Sequence, residues 1–174
     1  MSSGAAGPAT GGTSRSRGTN TEDRLAITDL LYRYAELIDA GDFDGVGRLL
    51  GRATFAGTRL LELSGAAAIA KLFAATTRRF PDTGTPRTRH LVLNPIVEVY
   101  GDRTATARST LCVVQATDTV PLQPIVVGRY LDGFSCDDTG WYFTERRVDV
   151  EMVGDIRPPD DRPARVRPIG MGRP

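Results

Sequence analysis

The chain is built around the segment from Glu22 to Gly41, which reads EDRLAITDLLYRYAELIDAG. Its apolar residues recur at three- and four-residue steps, which places them on one face of an α-helix: Ile27, Leu30, Leu31, Tyr34 and Ile38. Asn20 or Thr21 can cap the start, and Gly41 is a natural stop. The segment therefore predicts one amphipathic helix whose apolar face packs against the rest of the domain.

Asp39 is unusual because it falls in the last turn of this predicted helix. A carboxylate there faces the negative end of the helix dipole, where a neutral or basic residue is more favourable. It also lies at the edge of the apolar face rather than opposite it. Two interpretations follow: Asp39 is a solvated residue that begins the turn DAGDFD, or it is a buried group that orients a base.

The elements after this helix change in type halfway along the chain. Asp42 can cap a second short helix, FDGVGRLL, two short strands follow in ATFAG and TRLLELSG, and Ser64 can cap a third helix over residues 66–79. After the loop PDTGTPRT the hydrophobic period becomes two, which predicts long strands over residues 90–100, 104–115, 124–136 and 141–153. Pro95 marks an edge strand or a bulge, since it cannot donate to a ladder.

A run of helices followed by a run of strands indicates an α+β fold. We expect a cone-shaped, curved antiparallel sheet that three N-terminal helices close around one pocket. Residues 1–20 are rich in Gly, Ser and Thr and predict a disordered leader, and residues 155–174 predict a flexible tail rich in Pro and Arg. The domain itself is expected over residues 21–154.

Composition narrows the function. The 174 residues carry a formal net charge of +1, which gives no electrostatic case for nucleic acid or an acidic membrane. No apolar run approaches the roughly 20 residues of a membrane span, and the N-terminal stretch lacks the apolar core of a secretory signal. Cys112 and Cys136 form no CxxC spacing, so reduced thiols in the cytoplasm are expected. With one histidine in the chain, a zinc site built from several His and Cys is excluded. We expect no other metal and no organic cofactor.

His90 is the second candidate, because it opens a predicted strand after a Pro-containing loop and shares a strand face with Val92. A single histidine at a strand end is also common as a structural residue bonded to backbone. If Asp39 lies beside it, a carboxylate bonded to one imidazole nitrogen fixes the tautomer and raises the basicity of the other nitrogen. The two residues together would then form a general base.

Three segments resemble the SnoaL-like branch of the nuclear transport factor 2-like superfamily: LLYRYAELIDAGDFDGVGRLL, RHLVLNPIVEVYGDRTATARSTLCVV and DDTGWYFTERRVDV. The resemblance implies an α+β cone with one apolar pocket, usually assembled as a dimer or trimer. The family includes scytalone dehydratase, the dehydrochlorinase of hexachlorocyclohexane breakdown, bile-acid dehydratase, polyketide cyclases and the small subunits of ring-hydroxylating dioxygenases. The resemblance covers about residues 22–153.

The resemblance also implies roles for individual residues. Asp39 falls where the dehydratases and the dehydrochlorinase keep their dyad aspartate, and His90 falls where they keep the histidine base. Tyr34 matches a pocket tyrosine of the bile-acid dehydratase, with a core position as the alternative. The predicted pocket lining comprises Phe55, Val92, Thr110, Cys112 and Val114, of which the last three share one strand face with Arg108. The chain departs from the family in lacking a second histidine and a carboxylate on the strand after His90, so no general acid is evident.

We therefore expect a cofactor-independent lyase or isomerase, dehydratase-like or cyclase-like, that acts on an apolar cyclic or polyketide-like small molecule. The alternative is a non-catalytic module that binds a small ligand or supports an oligomer, as dioxygenase small subunits do. A homodimer through the outer face of the long strands is expected, with a trimer as the alternative. Arg146 and Arg147 point to opposite faces of their strand, so at most one of them lies inside, and a solvated or interface role is expected.

Overall fold

The computed structural model describes residues 18–58 and 60–156. Most of the predicted leader and tail lies outside the described residues. Of those two segments, residues 18–20 belong to the first helix and residues 155–156 follow the last strand. Within the described ranges, none of the helices has both the length and the apolar character needed to cross a bilayer.

The described residues form three helices and six strands. The helices are α1 (Gly18–Ala40), α2 (Phe43–Leu49) and α3 (Ala66–Thr76). The strands are β1 (Thr54–Gly57), β2 (Leu60–Ser64), β3 (Thr88–Val99), β4 (Thr104–Gln115), β5 (Gln123–Asp137) and β6 (Gly140–Val153). The predicted α+β class and the order of elements are confirmed.

All six strands belong to one open curved sheet with the order β2-β1-β6-β5-β4-β3. The long strands β3 to β6 pair antiparallel as expected, but β1 runs parallel to β6. The sheet is therefore mixed rather than purely antiparallel. Strand β1 lies beside β6 and runs in the same direction, so the small β1–β2 hairpin extends the main sheet at that edge.

Two of the predicted helix caps have different outcomes. The carboxylate of Asp42 accepts a hydrogen bond of 2.8 Å from the Gly45 N–H, which confirms the cap of α2. The cap predicted for Ser64 is wrong, because Ser64 ends β2 and Gly65 takes the N-cap position of α3 without any side-chain bond. Helix α3 also ends at Thr76, three residues before the predicted end, because Thr77 is already extended.

Strand β3 is an edge strand of the sheet, and its pairing with β4 shifts register between Leu93 and Ile96. Pro95 lies inside this shift, as expected for a residue without an N–H donor. Asn94, just before it, has a φ of +52°, which belongs to the left-handed region that Asn tolerates better than most residues. The bulge redirects the strand, so that Thr88, His90 and Val92 before it and Val97 and Val99 after it all lie on the side facing the core.

Helix α1 covers one face of the sheet, called here the inner face. On β4 this face carries Ala105, Ala107, Ser109, Leu111 and Val113, which are all buried. Directly opposite on β5 are Tyr130, Asp132 and Phe134, each no more than 4 % exposed. The buried residues of α1, Ile27, Leu31, Tyr34 and Ile38, complete this core. The core thus runs along the inner face and ends where α1 meets the first residues of β3.

Candidate functional site

The position of Asp39 is fixed by the way α1 ends. The Gly41 N–H donates to the Ile38 carbonyl (3.1 Å) and the Asp42 N–H donates to the Leu37 carbonyl (3.0 Å), which is the pattern of a Schellman motif. Gly41 has a φ of +75°, and a Cβ on it would lie 2.7 Å from the Gly84 carbonyl oxygen, so only glycine fits there. The tight stop leaves Asp39 in the last turn of the helix, facing the start of β3.

The carboxylate of Asp39 is buried and accepts three hydrogen bonds from β3. Its Oδ1 lies 2.6 Å from His90 Nδ1 and accepts from the Thr88 hydroxyl at 3.2 Å. Its Oδ2 accepts from the His90 backbone N–H at 2.8 Å. The unfavourable place at the negative end of the helix dipole is therefore offset by three donors. The burial also removes the solvated-turn interpretation of this residue.

The ring of His90 contacts Asp39 through Nδ1. An ionised carboxylate only accepts hydrogen bonds, so this contact suits the neutral tautomer that carries its proton on Nδ1 and a lone pair on Nε2. The side chains of His90 and Asp39 are 12 % and 10 % exposed, so the contact is largely shielded from water. Because β3 is an edge strand, the His90 N–H has no neighbouring strand on that side, and Asp39 takes its place. Helix end and strand start are thus held together by the same carboxylate.

His90 borders two cavities rather than the single pocket expected. One, of about 480 Å³, lies between α1 and the β3 edge and is lined by Asp39, His90 and Val92 together with Tyr32, Glu36 and Arg89. The other, of about 350 Å³, lies at the end of the inner face and is lined by His90, Ile38, Val113, Val126, Pro86 and Ile156. Both volumes fall in or near the range of small-molecule sites, roughly 300–1,000 Å³.

Of the predicted pocket lining, only Val92 borders a cavity beside His90. Phe55 is 5 % exposed and packs on Phe73 in the core, with ring centroids 5.4 Å apart. The predictions for Thr110, Cys112 and Val114 are wrong, because these residues alternate with the buried positions of β4 and lie on the outer face. The physical reason is Arg108, which shares their face and forms an exposed ion pair of 3.0 Å with Glu98, while small alanines fill the inner face beneath the helix.

Tyr34 is a core residue that touches both His90 and the interior of the sheet. It is 2 % exposed, and its ring lies edge-on to the His90 ring with centroids 6.4 Å apart. Neither cavity that His90 borders includes Tyr34 among its lining residues. Burial raises the pKa of the Tyr34 phenol, and the nearby Arg146 opposes that rise. The structure therefore places Tyr34 in the core, in contact with the His90 ring but outside the lining of the two cavities that His90 borders.

The interior also holds a polar pair, Arg146 and Asp132, that was not predicted from the sequence. Arg146 and Asp132 are cross-strand neighbours on β6 and β5, both side chains are fully buried, and Nη1 lies 3.6 Å from Oδ1. The guanidinium carbon lies 3.8 Å from the ring centres of both Tyr34 and Tyr130. The expected solvated or interface role of Arg146 is therefore wrong. The available signal was strand parity: Asp132 lies between Tyr130 and Phe134 at two-residue steps, as an inward residue must.

This buried pair has unusual electrostatics. Burial raises the pKa of Asp132 to about 7, although the charge of Arg146 works in the opposite direction. Burial alone would lower the pKa of Arg146, but Asp132 and the two tyrosines hold it above its ordinary value. Within the described part of the chain, the three side-chain nitrogens of Arg146, both carboxylate oxygens of Asp132 and the Ser109 hydroxyl are buried without a hydrogen-bond partner.

The described residues 18–58 and 60–156 contain no cluster of three or more His, Cys, Asp or Glu side chains placed to hold a metal ion. The thiols of Cys112 and Cys136 are both half-buried and free.

An open curved sheet with three helices around this site defines the NTF2-like, or cystatin-like, class of proteins. A crystal structure of an NTF2-like protein with a cystatin-like fold from Novosphingobium aromaticivorans is similar to this chain at 27 % identity, with a TM-score of 0.64 over 76 % of this chain and 84 % of that one. A putative scytalone dehydratase from the same organism is similar at 22 % identity, with a TM-score of 0.65 over 89 % and 98 %.

The beta subunit of a putative aromatic-ring-hydroxylating dioxygenase from that organism is similar at 14 % identity, with a TM-score of 0.62 over 79 % and 94 % of the two chains. A search among curated proteins gave no significant match. The SnoaL-like domain family matches residues 19–147. The chain therefore belongs to the SnoaL-like domain family, as its three sequence segments indicate.

Proposed function

We propose that this protein is a cofactor-independent lyase or isomerase, dehydratase-like or cyclase-like, in which Asp39 and His90 form the general base. The observation that supports it is the 2.6 Å contact between Asp39 Oδ1 and His90 Nδ1, which leaves Nε2 free beside a cavity. An oriented, partly buried Asp–His pair contributes about 10²–10⁴ to the rate of proton abstraction. A solvent-exposed or unpaired histidine would offer neither the tautomer nor the charge stabilisation.

In the proposed reaction, Nε2 of His90 removes a proton from a carbon next to a carbonyl or a leaving group. The electron pair of the broken C–H bond forms a double bond, either as an enolate or with loss of the leaving group. The imidazolium formed at His90 is stabilised by Asp39, which lies 2.6 Å from Nδ1 and is itself held by Thr88. The proton then returns to another position of the substrate or leaves to solvent, which gives isomerisation or elimination.

The substrate that fits is an apolar cyclic or polyketide-like small molecule. Ala35, Ala40 and Val92 form the apolar part of the larger cavity, beside the charged Glu36 and Arg89. The smaller cavity is lined by three isoleucines and two valines among polar residues, and His90 borders both. The similarity to a putative scytalone dehydratase, at 22 % identity, supports the shared fold and not the substrate class.

The test uses a probe that needs no knowledge of the natural product. The protein is incubated in heavy water with 1-tetralone, a bicyclic ketone with an acidic C–H next to its carbonyl, and deuterium uptake is followed by mass spectrometry. We expect exchange faster than in buffer, and loss of that excess in Asp39→Asn and in His90→Gln. Asp29→Asn, an exposed change on the same helix, is the matched control and should retain it. Exchange that survives in His90→Gln would refute the proposal.

The second candidate is a non-catalytic module that binds a small ligand or supports an oligomer. Its support is the likeness in fold to the beta subunit of a putative aromatic-ring-hydroxylating dioxygenase. This candidate predicts that 1-tetralone binds, as seen by a rise in melting temperature, without any excess exchange. The two candidates are thus separated by the same pair of measurements.

We also propose a homodimer through the outer face of β3 to β5. Leu91, Leu93 and Ile96 of β3 and Leu131 of β5 are each at least 40 % exposed there, which leaves apolar area for a partner. Light scattering at micromolar concentration tests it, and substitution of Leu93 and Leu131 by Lys should give monomers. The trimer and the cytoplasmic location stay predictions.

A further inference from the structure

The interior holds two buried acid–base pairs that share one tyrosine. Asp39 and His90 lie on one side of Tyr34, whose ring is 6.4 Å from the His90 ring. The guanidinium carbon of Arg146 lies 3.8 Å from the centre of the same tyrosine ring, and its Nη1 lies 3.6 Å from Asp132 Oδ1. Placed end to end, the distances of 6.4 Å and 3.8 Å put the imidazole and the guanidinium at most about 10 Å apart.

We propose that the buried Asp132–Arg146 pair is a positioning pair for His90: across the Tyr34 ring, its net charge sets the pH range in which His90 is free to act as a base. The meaning for catalysis rests on the proposed function, but the electrostatic coupling does not. Arg146 alone is a fixed positive charge that opposes protonation of His90. With Asp132 ionised beside it, the pair is close to neutral and the opposition is largely removed.

The geometry explains why water does not screen this coupling. The side chains of Arg146 and Asp132 have no exposed area, and Tyr34 and Tyr130 are 2 % and 1 % exposed. The guanidinium of Arg146 contacts the Asp132 carboxylate at 3.6 Å and lies over the rings of Tyr34 and Tyr130, so its surroundings are protein and not solvent. Charges in such an environment act over longer distances than charges at a surface.

Other charges lie near His90: Glu36 and Arg89 line the larger cavity with it, and Arg78 lines the smaller one. His90 is faced from α1 by Asp39 and Tyr34. Asp132 is faced by Arg146 and, more weakly, by Glu145 of the same strand as Arg146. Since burial raises the pKa of Asp132 to about 7, its charge changes near neutral pH. The net charge behind Tyr34 therefore changes from positive to neutral as the pH rises through that value.

The size of the coupling follows from the distance. Two unit charges about 10 Å apart, at an effective dielectric constant of about 20, change a titration midpoint by roughly one pH unit. Asp132→Asn leaves Arg146 unneutralised, so the imidazolium of His90 is less favourable and His90 should titrate at lower pH. Replacing both residues, as Asp132→Leu with Arg146→Met, removes the whole pair with its net positive charge, so His90 should titrate at higher pH than in Asp132→Asn.

The measurement is direct because His90 is the single histidine of the chain. Its ring C–H signal in a proton–carbon NMR spectrum needs no assignment and can be followed against pH in the full-length protein. We expect the midpoints of Asp132→Asn and of the double variant to differ by roughly one unit, with the lower value in Asp132→Asn and the native value between them. The matched control is Arg147→Gln, a neighbour of Arg146 that points outward in an exposed contact of 3.9 Å with Glu145, and it should have no effect.

Equal midpoints in Asp132→Asn and in the double variant overturn the proposal, as does a shift of the same size in Arg147→Gln. If Asp132→Asn does not fold, the native curve decides. Antagonism between the two sites should broaden the native titration beyond that of one independent group, and the double variant should restore a single-site curve. A native curve that is already single-site contradicts the coupling. A shift in protein that shows no exchange of 1-tetralone would refute the proposed function and leave this inference standing.

Discussion

Replacing Asp39 by Asn changes one carboxylate oxygen into an amide group of nearly the same size. The amide oxygen can still accept from the His90 backbone N–H, now bonded at 2.8 Å. The amide nitrogen then faces His90 Nδ1 and the Thr88 hydroxyl, which are bonded to the other oxygen at 2.6 Å and 3.2 Å. An NH₂ group can only donate, so Nδ1 must become an acceptor and the ring proton must move to Nε2.

Two magnitudes follow from this exchange. All three hydrogen bonds of the carboxylate lose their charged acceptor, so the free energy of unfolding should fall by about 1–3 kcal/mol, and the domain should stay folded. The free nitrogen that would serve as the base is now protonated. A base-dependent activity should therefore fall by about 10⁴-fold, as it does when the orienting aspartate of a catalytic triad is changed to Asn.

The tautomer is read from the nitrogen-15 shifts of the single histidine, which distinguish a protonated ring nitrogen from an unprotonated one. We expect the proton on Nδ1 in the native chain and on Nε2 in Asp39→Asn at a pH where the ring is neutral. Urea denaturation gives the stability, and Asp29→Asn on the exposed side of α1 is the control for the loss of one negative charge. A ring that keeps its proton on Nδ1 in Asp39→Asn would refute the reasoning.

Three further outcomes are expected. The folded state keeps the Asp132 proton up to about pH 7, whereas the unfolded state releases it near pH 4, so this carboxyl should lower the free energy of unfolding by about 4 kcal/mol as pH rises across that range. Urea denaturation of the native protein and of Asp132→Asn at several pH values should show this slope in the difference between the two. A difference that does not change with pH would contradict it. Gly41→Ala should cost at least about 1–3 kcal/mol by the same assay, since φ is +75° and the new Cβ would meet the Gly84 carbonyl at 2.7 Å; an unchanged stability would show that the helix end can move. A chain of residues 18–156 should keep its melting temperature within a few degrees in calorimetry, and a large drop would show that residues 1–17 or 157–174 pack on the domain.

The fold and part of the site could be read from local signals in the sequence. The 3.6-residue period of α1, the two-residue period of the long strands, Asp42 as a cap and Pro95 as a bulge each depend on neighbours a few residues away, and each appears in the structure. The Ser64 cap failed on the same scale, because strand pairing with β1 extends β2 to Ser64 and leaves Gly65 as the cap.

Other features depended on packing between distant elements. The alternation along β4 does not show which of its two faces is buried, because both faces are half apolar. Only the covering helix decides that Thr110, Cys112 and Val114 lie on the outer face. The same holds for Arg146, where the sequence shows two adjacent arginines on opposite faces and the sheet decides that this one lies inside beside Asp132.

The sequence by itself determined which residues could form an Asp–His pair: one histidine at the start of a strand and one aspartate at the end of a helix. Only the tertiary structure decided that they meet, since 51 residues separate them along the chain. The physical reason is that β3 is an edge strand with an unpaired N–H, and the C-terminal turn of α1, stopped by Gly41, lies where a carboxylate can accept it. No local pattern carries that information, because it depends on where a helix end and a sheet edge come to lie in the folded chain.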